Sequence, residues 1–291
     1  MQNYLCSVCA YVGFKINTTQ FNLIIESLIM KKLTLLAALL VSSQFAFADG
    51  SGLPGTEANP DALAVSAPWR VSIGGGIASV PRYEGAATNR LRAVPLLEIS
   101  HGHFFAGTSR GIGYNFSDDQ SVQYGLRMTM AHYRKQSVDA HLNGTGDIAA
   151  AAELGGFVNA HFSPWYVSSS IAGSSRGSRF ELGGGYELKI SEADQLRAGL
   201  EMNWANGKYM QTYYGVSAAQ SAASGGVLTP YNATSGVRDY ALKLNWMHSY
   251  SKEWFSNAGV SLKQLSGSAK SSPLTVRNTA NTVNFVVGYN F

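Results

Sequence analysis

The sequence predicts a closed antiparallel transmembrane β-barrel of twelve strands, with ten as the alternative count. Three observations carry this. Apolar and polar residues alternate with a period of two along most of residues 69–291. The alternating runs reach about nine to eleven residues, where strands of globular proteins average about five or six. Aromatic residues sit near the run ends, at Trp165, Tyr186, Trp204, Trp246, Tyr250 and Trp254, as in girdles at the two edges of a bilayer.

The alternation is explicit in four runs. Val122, Tyr124, Leu126, Met128 and Met130 alternate with Gln123, Gly125, Arg127 and Thr129. Phe180, Leu182, Gly184, Tyr186 and Leu188 alternate with Glu181, Gly183, Gly185 and Glu187. Leu196, Ala198, Leu200, Met202 and Trp204 face away from Arg197, Gly199, Glu201 and Asn203, and Tyr240, Leu242, Leu244 and Trp246 from Ala241, Lys243 and Asn245. A soluble sandwich also wets one face of each strand. Here the polar face carries charge and many glycines, which suits a tightly packed barrel interior.

The strands are placed at 69–79, 92–101, 103–109, 111–116, 121–131, 150–162, 165–174, 178–189, 195–205, 238–249, 254–264 and 281–291. The ten-strand alternative has fewer elements within 103–116. Short polar connections fall at 117–120, 163–164, 191–194 and 251–253, and long ones at about 80–91, 132–149, 206–237 and 265–280. An even strand count puts every short turn on the periplasmic side, with both ends of the barrel, and the long loops outside.

Composition agrees. Charged residues make up 14%, Gly 31 of 291 residues, and Trp, Tyr and Phe together 33, too apolar and aromatic for a disordered chain. From Met30, the stretch MKKLTLLAALLVSSQFAFADG has the basic start, short apolar run and A-x-A site (Ala46, Phe47, Ala48) of a secretory signal peptide at 30–48. Residues 1–29 then read as an over-extended gene start, and 49–68 as a flexible periplasmic lead-in to the barrel at 69–291. Both cysteines, Cys6 and Cys9, fall before Met30, so the exported part has no disulfide framework. That part keeps 19 Lys and Arg against 17 Asp and Glu, with no basic tract for nucleic acid.

Arg127, Arg197, Glu201, Lys243 and Lys263 are the candidate lumen-lining residues. They either pair across the lumen and brace it or set the charge selectivity of a channel. Tyr209, Tyr213, Tyr214 and Tyr231 make the longest loop aromatic, fit to plug the lumen or to contact a partner. His101, His103 and His132 lie near strand ends, but no G-x-S-x-G elbow accompanies them, so no catalytic residue, metal or cofactor is expected. The runs Gly74–Gly76 and Gly183–Gly185 lack the strand–turn–helix setting and the lysine of a phosphate loop, and read as relief of barrel curvature.

Several segments resemble, in order and spacing, the MltA-interacting protein (MipA/OmpV) family of outer-membrane proteins. They are SIGGGIASVPRYEG at 72–85, Val94-Pro95 with the strand after it, GHFF at 102–105, Tyr213-Tyr214-Gly215-Val216, Ser272-Pro273-Leu274 and the final GYNF. Arg82 and Ala86 depart from the family's usual loop pattern. The resemblance implies a non-enzymatic barrel with a scaffold role, bringing a lytic transglycosylase together with a murein synthase. Its alternatives are a porin-like small-solute channel or an adhesion-linked surface protein.

The ending VNFVVGYNF places Phe285, Val287, Tyr289 and Phe291 toward outer-membrane lipid and Asn284, Gly288 and Asn290 toward the lumen. It also resembles the signal read by the barrel assembly machinery. Deleting Phe291 is therefore expected to impair insertion far more than one lost lipid contact would. Normal insertion and yield of that truncation would reduce Phe291 to an ordinary lipid contact.

Overall fold

The computed structural model describes residues 66–291. The expected signal segment, the residues before it and most of the lead-in lie outside the described residues. The strands are β1 (Ser66–Pro81), β2 (Asn89–Gly102), β3 (Phe104–Gly107), β4 (Gly111–Asn115), β5 (Val122–Ala131), β6 (Ala151–Phe162), β7 (Trp165–Ser174), β8 (Gly177–Lys189), β9 (Asp194–Ala205), β10 (Gly236–Ser249), β11 (Trp254–Leu265) and β12 (Thr279–Asn290). They form one closed antiparallel barrel, each strand beside its sequence neighbours, with β12 returning to β1. Twelve, not ten, is the strand count, because 104–115 folds as two short strands joined by a tight turn.

The period of two becomes inside and outside. Ile73, Ile77, Leu126, Leu154, Ile171, Leu200, Leu242 and Phe285 stand exposed on the outer wall. Residues of the other parity, such as Asn203, Ser261, Thr282 and Asn284, are buried inward. An apolar outside around a polar inside inverts a soluble protein and matches a lipid surround. Among the described residues no helix is long and apolar enough to cross a membrane.

The aromatic girdle is lopsided. At the end carrying the short turns, Phe104, Tyr114, Phe116 and Tyr124 contact one another in sequence, as do Trp165 with Tyr186, Trp254 with Tyr289, and Tyr289 with Phe291. Trp69 stacks on His101 at the same end. Of the girdle aromatics expected from sequence, Trp204 stands at the opposite, loop end, beside the long 206–235 connection.

Closure depends on the β1–β12 seam, in register from Ser72↔Asn290 to Ser79↔Val283. A Cβ on Gly76 would lie 1.9 Å from the Phe285 carbonyl oxygen, and one on Gly74 2.2 Å from that of Val287. Backbone cannot yield there without parting the strands. A Cβ on the adjacent Gly75 would meet nothing nearer than 3.7 Å. Gly76→Ala is therefore expected to abolish the fast-migrating folded band on unheated gels, and Gly75→Ala to retain it. Equal folding of the two would remove the seam from the account.

Candidate functional site

The loop end is filled by protein. The 206–235 connection carries α1 (Gly207–Tyr214) and α2 (Ala218–Ala223), and the 266–278 connection carries α3 (Gly267–Lys270). Asn206 caps α1 by accepting from the Tyr209 N–H, and Ser217 with Gln220 forms a reciprocal capping box on α2. Short helices of this kind are stable only when packed. Here Tyr209, Met210, Tyr213 and Tyr214 of α1 bury against Ile148, Ala205, Ala233, Leu265 and Ala269. A second cluster joins Tyr83, Ala86, Leu142, Val216, Leu228 and Leu274. Four connections thus share apolar cores and form a plug, the outcome that the aromatic 206–237 loop allowed.

Polar contacts tie the plug together and to the wall. The Arg134 Nη1 donates to the Tyr213 carbonyl at 2.8 Å, and the Tyr213 hydroxyl to the His132 carbonyl at 2.7 Å. Glu84, from the 82–88 connection, is the meeting point. It accepts from the Tyr214 hydroxyl at 2.5 Å and from Lys263 Nζ at 3.2 Å, and Arg238 lies at 3.9 Å. Arg238 also donates to the Tyr209 hydroxyl at 2.7 Å and to Asp239 at 2.6 Å. Burial would push the Glu84 carboxyl up, but Arg238 and Lys263, with His132 and the Tyr214 hydroxyl, hold it well below the usual carboxylate range.

Below the plug, charges are organised in pairs along the inner wall, some between adjacent strands and some across an intervening one. Glu201 and Lys243 meet at 2.7 Å. Arg179 contacts both Glu153, at 3.0 Å, and Glu181, while Ser170 donates to Glu181 at 2.8 Å. Near the turn end Glu187 takes Arg197 at 3.3 Å and His161 at 2.6 Å, and Arg197 also lies over the Tyr166 ring. On the opposite wall Arg110 pairs with Glu98 at 2.6 Å, and Arg127 lies over the Phe157 ring.

The space that remains is a cavity of about 350 Å³ running from Gln120, Ser121 and His161 at the turn end to Glu84 and His132 beneath the plug. All five lumen-lining candidates, Arg127, Arg197, Glu201, Lys243 and Lys263, border it. Four hold ion pairs, and the fifth, Arg127, lies over an aromatic face. The sequence reading missed Glu84, Glu153, Arg179, Arg238 and Asp239. Glu153 and Arg179 share the inward parity of their strands, which was a readable signal. Arg238 faces inward beside Asp239 because the β9–β10 register shifts between Val237 and Asp239. The histidines do not assemble: His101 stacks on Trp69 and His103 on Tyr114 at the turn end, while His132 approaches Tyr213 at the loop end.

Glu84→Gln leaves Arg238 and Lys263 facing a neutral amide, and breaking a buried pair from one side costs about 3–5 kcal/mol. The 206–235 loop is expected to become cleavable by limited proteolysis at neutral pH while the barrel keeps its folded mobility on gels. A carboxyl depressed in the folded state stabilises above its unfolded value, and that gain is lost only as pH falls through the lower, folded value. In the unaltered protein the loop is thus expected to resist pepsin even at pH about 4, where an ordinary glutamate titrates. Cleavage there would contradict the role given to Glu84.

Solved structures with a similar fold include an in-vitro folded outer membrane protein of Vibrio cholerae, OmpT, at 10% identity, covering 69% of this chain and 65% of that one, with a TM-score of 0.33. Others are a bacterial polysaccharide outer membrane secretin (10% identity, 78% and 99% covered, TM-score 0.40) and the Pseudomonas putida toluene transporter TodX (9%, 85% and 96%, TM-score 0.36). No curated protein matches the sequence. The model of one protein family matches residues 73–291, which take in β2 to β12 whole and most of β1. The chain belongs to that family, described as MltA-interacting protein MipA.

Proposed function

We propose that this protein is a non-enzymatic barrel of the Gram-negative outer membrane that acts as a scaffold for murein-remodelling proteins, with its turn end toward the periplasm. The observation that carries this reading is the plug. A general pore needs a continuous water path, and here the buried rings of Tyr209 and Tyr214 fill the loop end. The paired lumen charges then serve as internal struts. The family description names an interaction with MltA, a lytic transglycosylase, which supplies the partner class. A murein synthase is the second partner, and the short turns with their aromatic girdle offer the contact surface. Export through the 30–48 segment and insertion by the barrel assembly machinery complete the route.

The second reading is a small-solute channel. The cavity favours it: seven basic residues border it (Arg110, Arg127, Arg179, Arg197, Arg238, Lys243, Lys263) against three acidic ones (Glu84, Glu181, Glu201). Such a lining would prefer anions if the plug moved. The readings separate in two measurements on the pure protein. The scaffold reading expects silence in planar bilayers and retention of a lytic transglycosylase on the immobilised barrel. Stepwise openings without retention would replace it with the channel.

A further inference from the structure

The wall has a notch. β3 and β4 are four and five residues long, while their neighbours β2 and β5 have fourteen and ten. β2 pairs with β3 only from Glu98↔Gly107 to His101↔Phe104. β5 pairs with β4 only from Asn115↔Gly125 to Ile112↔Met128. Above the hairpin tip, toward the loop end, β2 has no strand beside it on that side among the described residues. Thr108 finishes the tip: its N–H donates to the Leu97 carbonyl, and its hydroxyl accepts from the Leu97 N–H and donates to the Pro95 carbonyl. Because peptide groups alternate along a strand, those of Leu91 and Ala93 on β2, and of Met130 on β5, point across the notch.

Pro95 and Thr108 line both the notch and the lumen cavity, as does Met130. The notch is therefore a lateral window between lumen and membrane. Pure hydrocarbon cannot fill it, since each peptide group left without a partner in lipid costs several kcal/mol. The rim is amphipathic. Leu91, 76% exposed, looks outward. Arg90 and Arg92 look inward, opposite the buried Val80 and Ala78 of β1. Arg92 reaches Tyr133 at 3.2 Å and so bounds the window above. Two like charges two residues apart, beside a gap bordered by both apolar side chains and peptide groups, are complementary to an anionic head with a polar linkage and a tail.

We propose that this window is a binding site for a phosphate-bearing anionic membrane lipid, its head on Arg90 and Arg92 and its tail in the gap above the β3–β4 hairpin. The lipid's ester oxygens accept from the peptide N–H groups of Leu91, Ala93 and Met130, and its chain completes the missing wall. The site is independent of the scaffold reading.

Native mass spectrometry of the detergent-solubilised barrel with added phosphatidylglycerol or phosphatidylcholine tests it. The expected result is one phosphatidylglycerol retained per barrel, at least tenfold over phosphatidylcholine. The double variant Arg90→Gln with Arg92→Gln loses that preference, and Thr108→Trp, which fills the window, loses retention, both with folded mobility on gels intact. Leu200→Trp, on the outer wall, changes nothing. Equal retention of the two lipids by the unaltered protein would overturn the proposal without any variant. A lipid-free dimer would overturn it in favour of edge-to-edge pairing through β2.

Discussion

The constraint on which everything else rests is that a peptide group inside lipid must find its hydrogen-bond partner within the protein. Sequence-adjacent pairing of twelve strands, with β12 returning to β1, answers it almost everywhere. The answer needs a sharply coiled seam, and the seam needs Gly74 and Gly76, because no side chain fits between their Cα atoms and the β12 backbone. The same constraint gives the short hairpin its meaning. Where β3 and β4 stop early, the wall cannot be left to acyl chains alone, so the interruption is a place where something polar has to enter.

Once closed, the barrel faces a second problem, a lumen too wide to be filled by wall side chains alone. Two solutions are combined. Charged residues pair between strands, as Glu201 of β9 does with Lys243 of the adjacent β10, and Glu153 of β6 with Arg179 of β8 across β7, which keeps desolvated charges compensated. The loops supply the apolar packing that the wall lacks, through Tyr209, Tyr214, Leu228 and Leu274, all nearly inaccessible to solvent. Glu84 links the solutions, since one carboxylate receives a plug tyrosine and a wall lysine together. The lumen is thus closed at the loop end and hollow toward the turn end, the polarity that the scaffold reading uses.

How much of this was legible depended on range. Strand identity and facing are local, so the alternation in Val122–Met130 or Leu196–Trp204 gave inside and outside residue by residue. The seam was legible because closure leaves the last strand, with Phe285 and Tyr289 outward, no other partner than the first. The lumen cations were legible as inward positions, but not their partners. Glu84 and Lys263 are 179 positions apart and meet only through the barrel's geometry and the path of the first loop. The inward turn of Arg238 depends on a register shift that no alternation announces. The loop tyrosines signalled burial or contact without saying which, because aromatic content alone does not tell a plug from an exposed patch.

The loops, not the wall, close the lumen. Conductance of the barrel in planar bilayers, measured before and after replacing residues 207–234 with a short flexible linker, tests this most directly. The unaltered protein is expected to be silent, with discrete openings once the plug segment is gone. A shortened barrel that stays as silent as the original, while still folded on gels, would contradict it and place the closure in the wall itself.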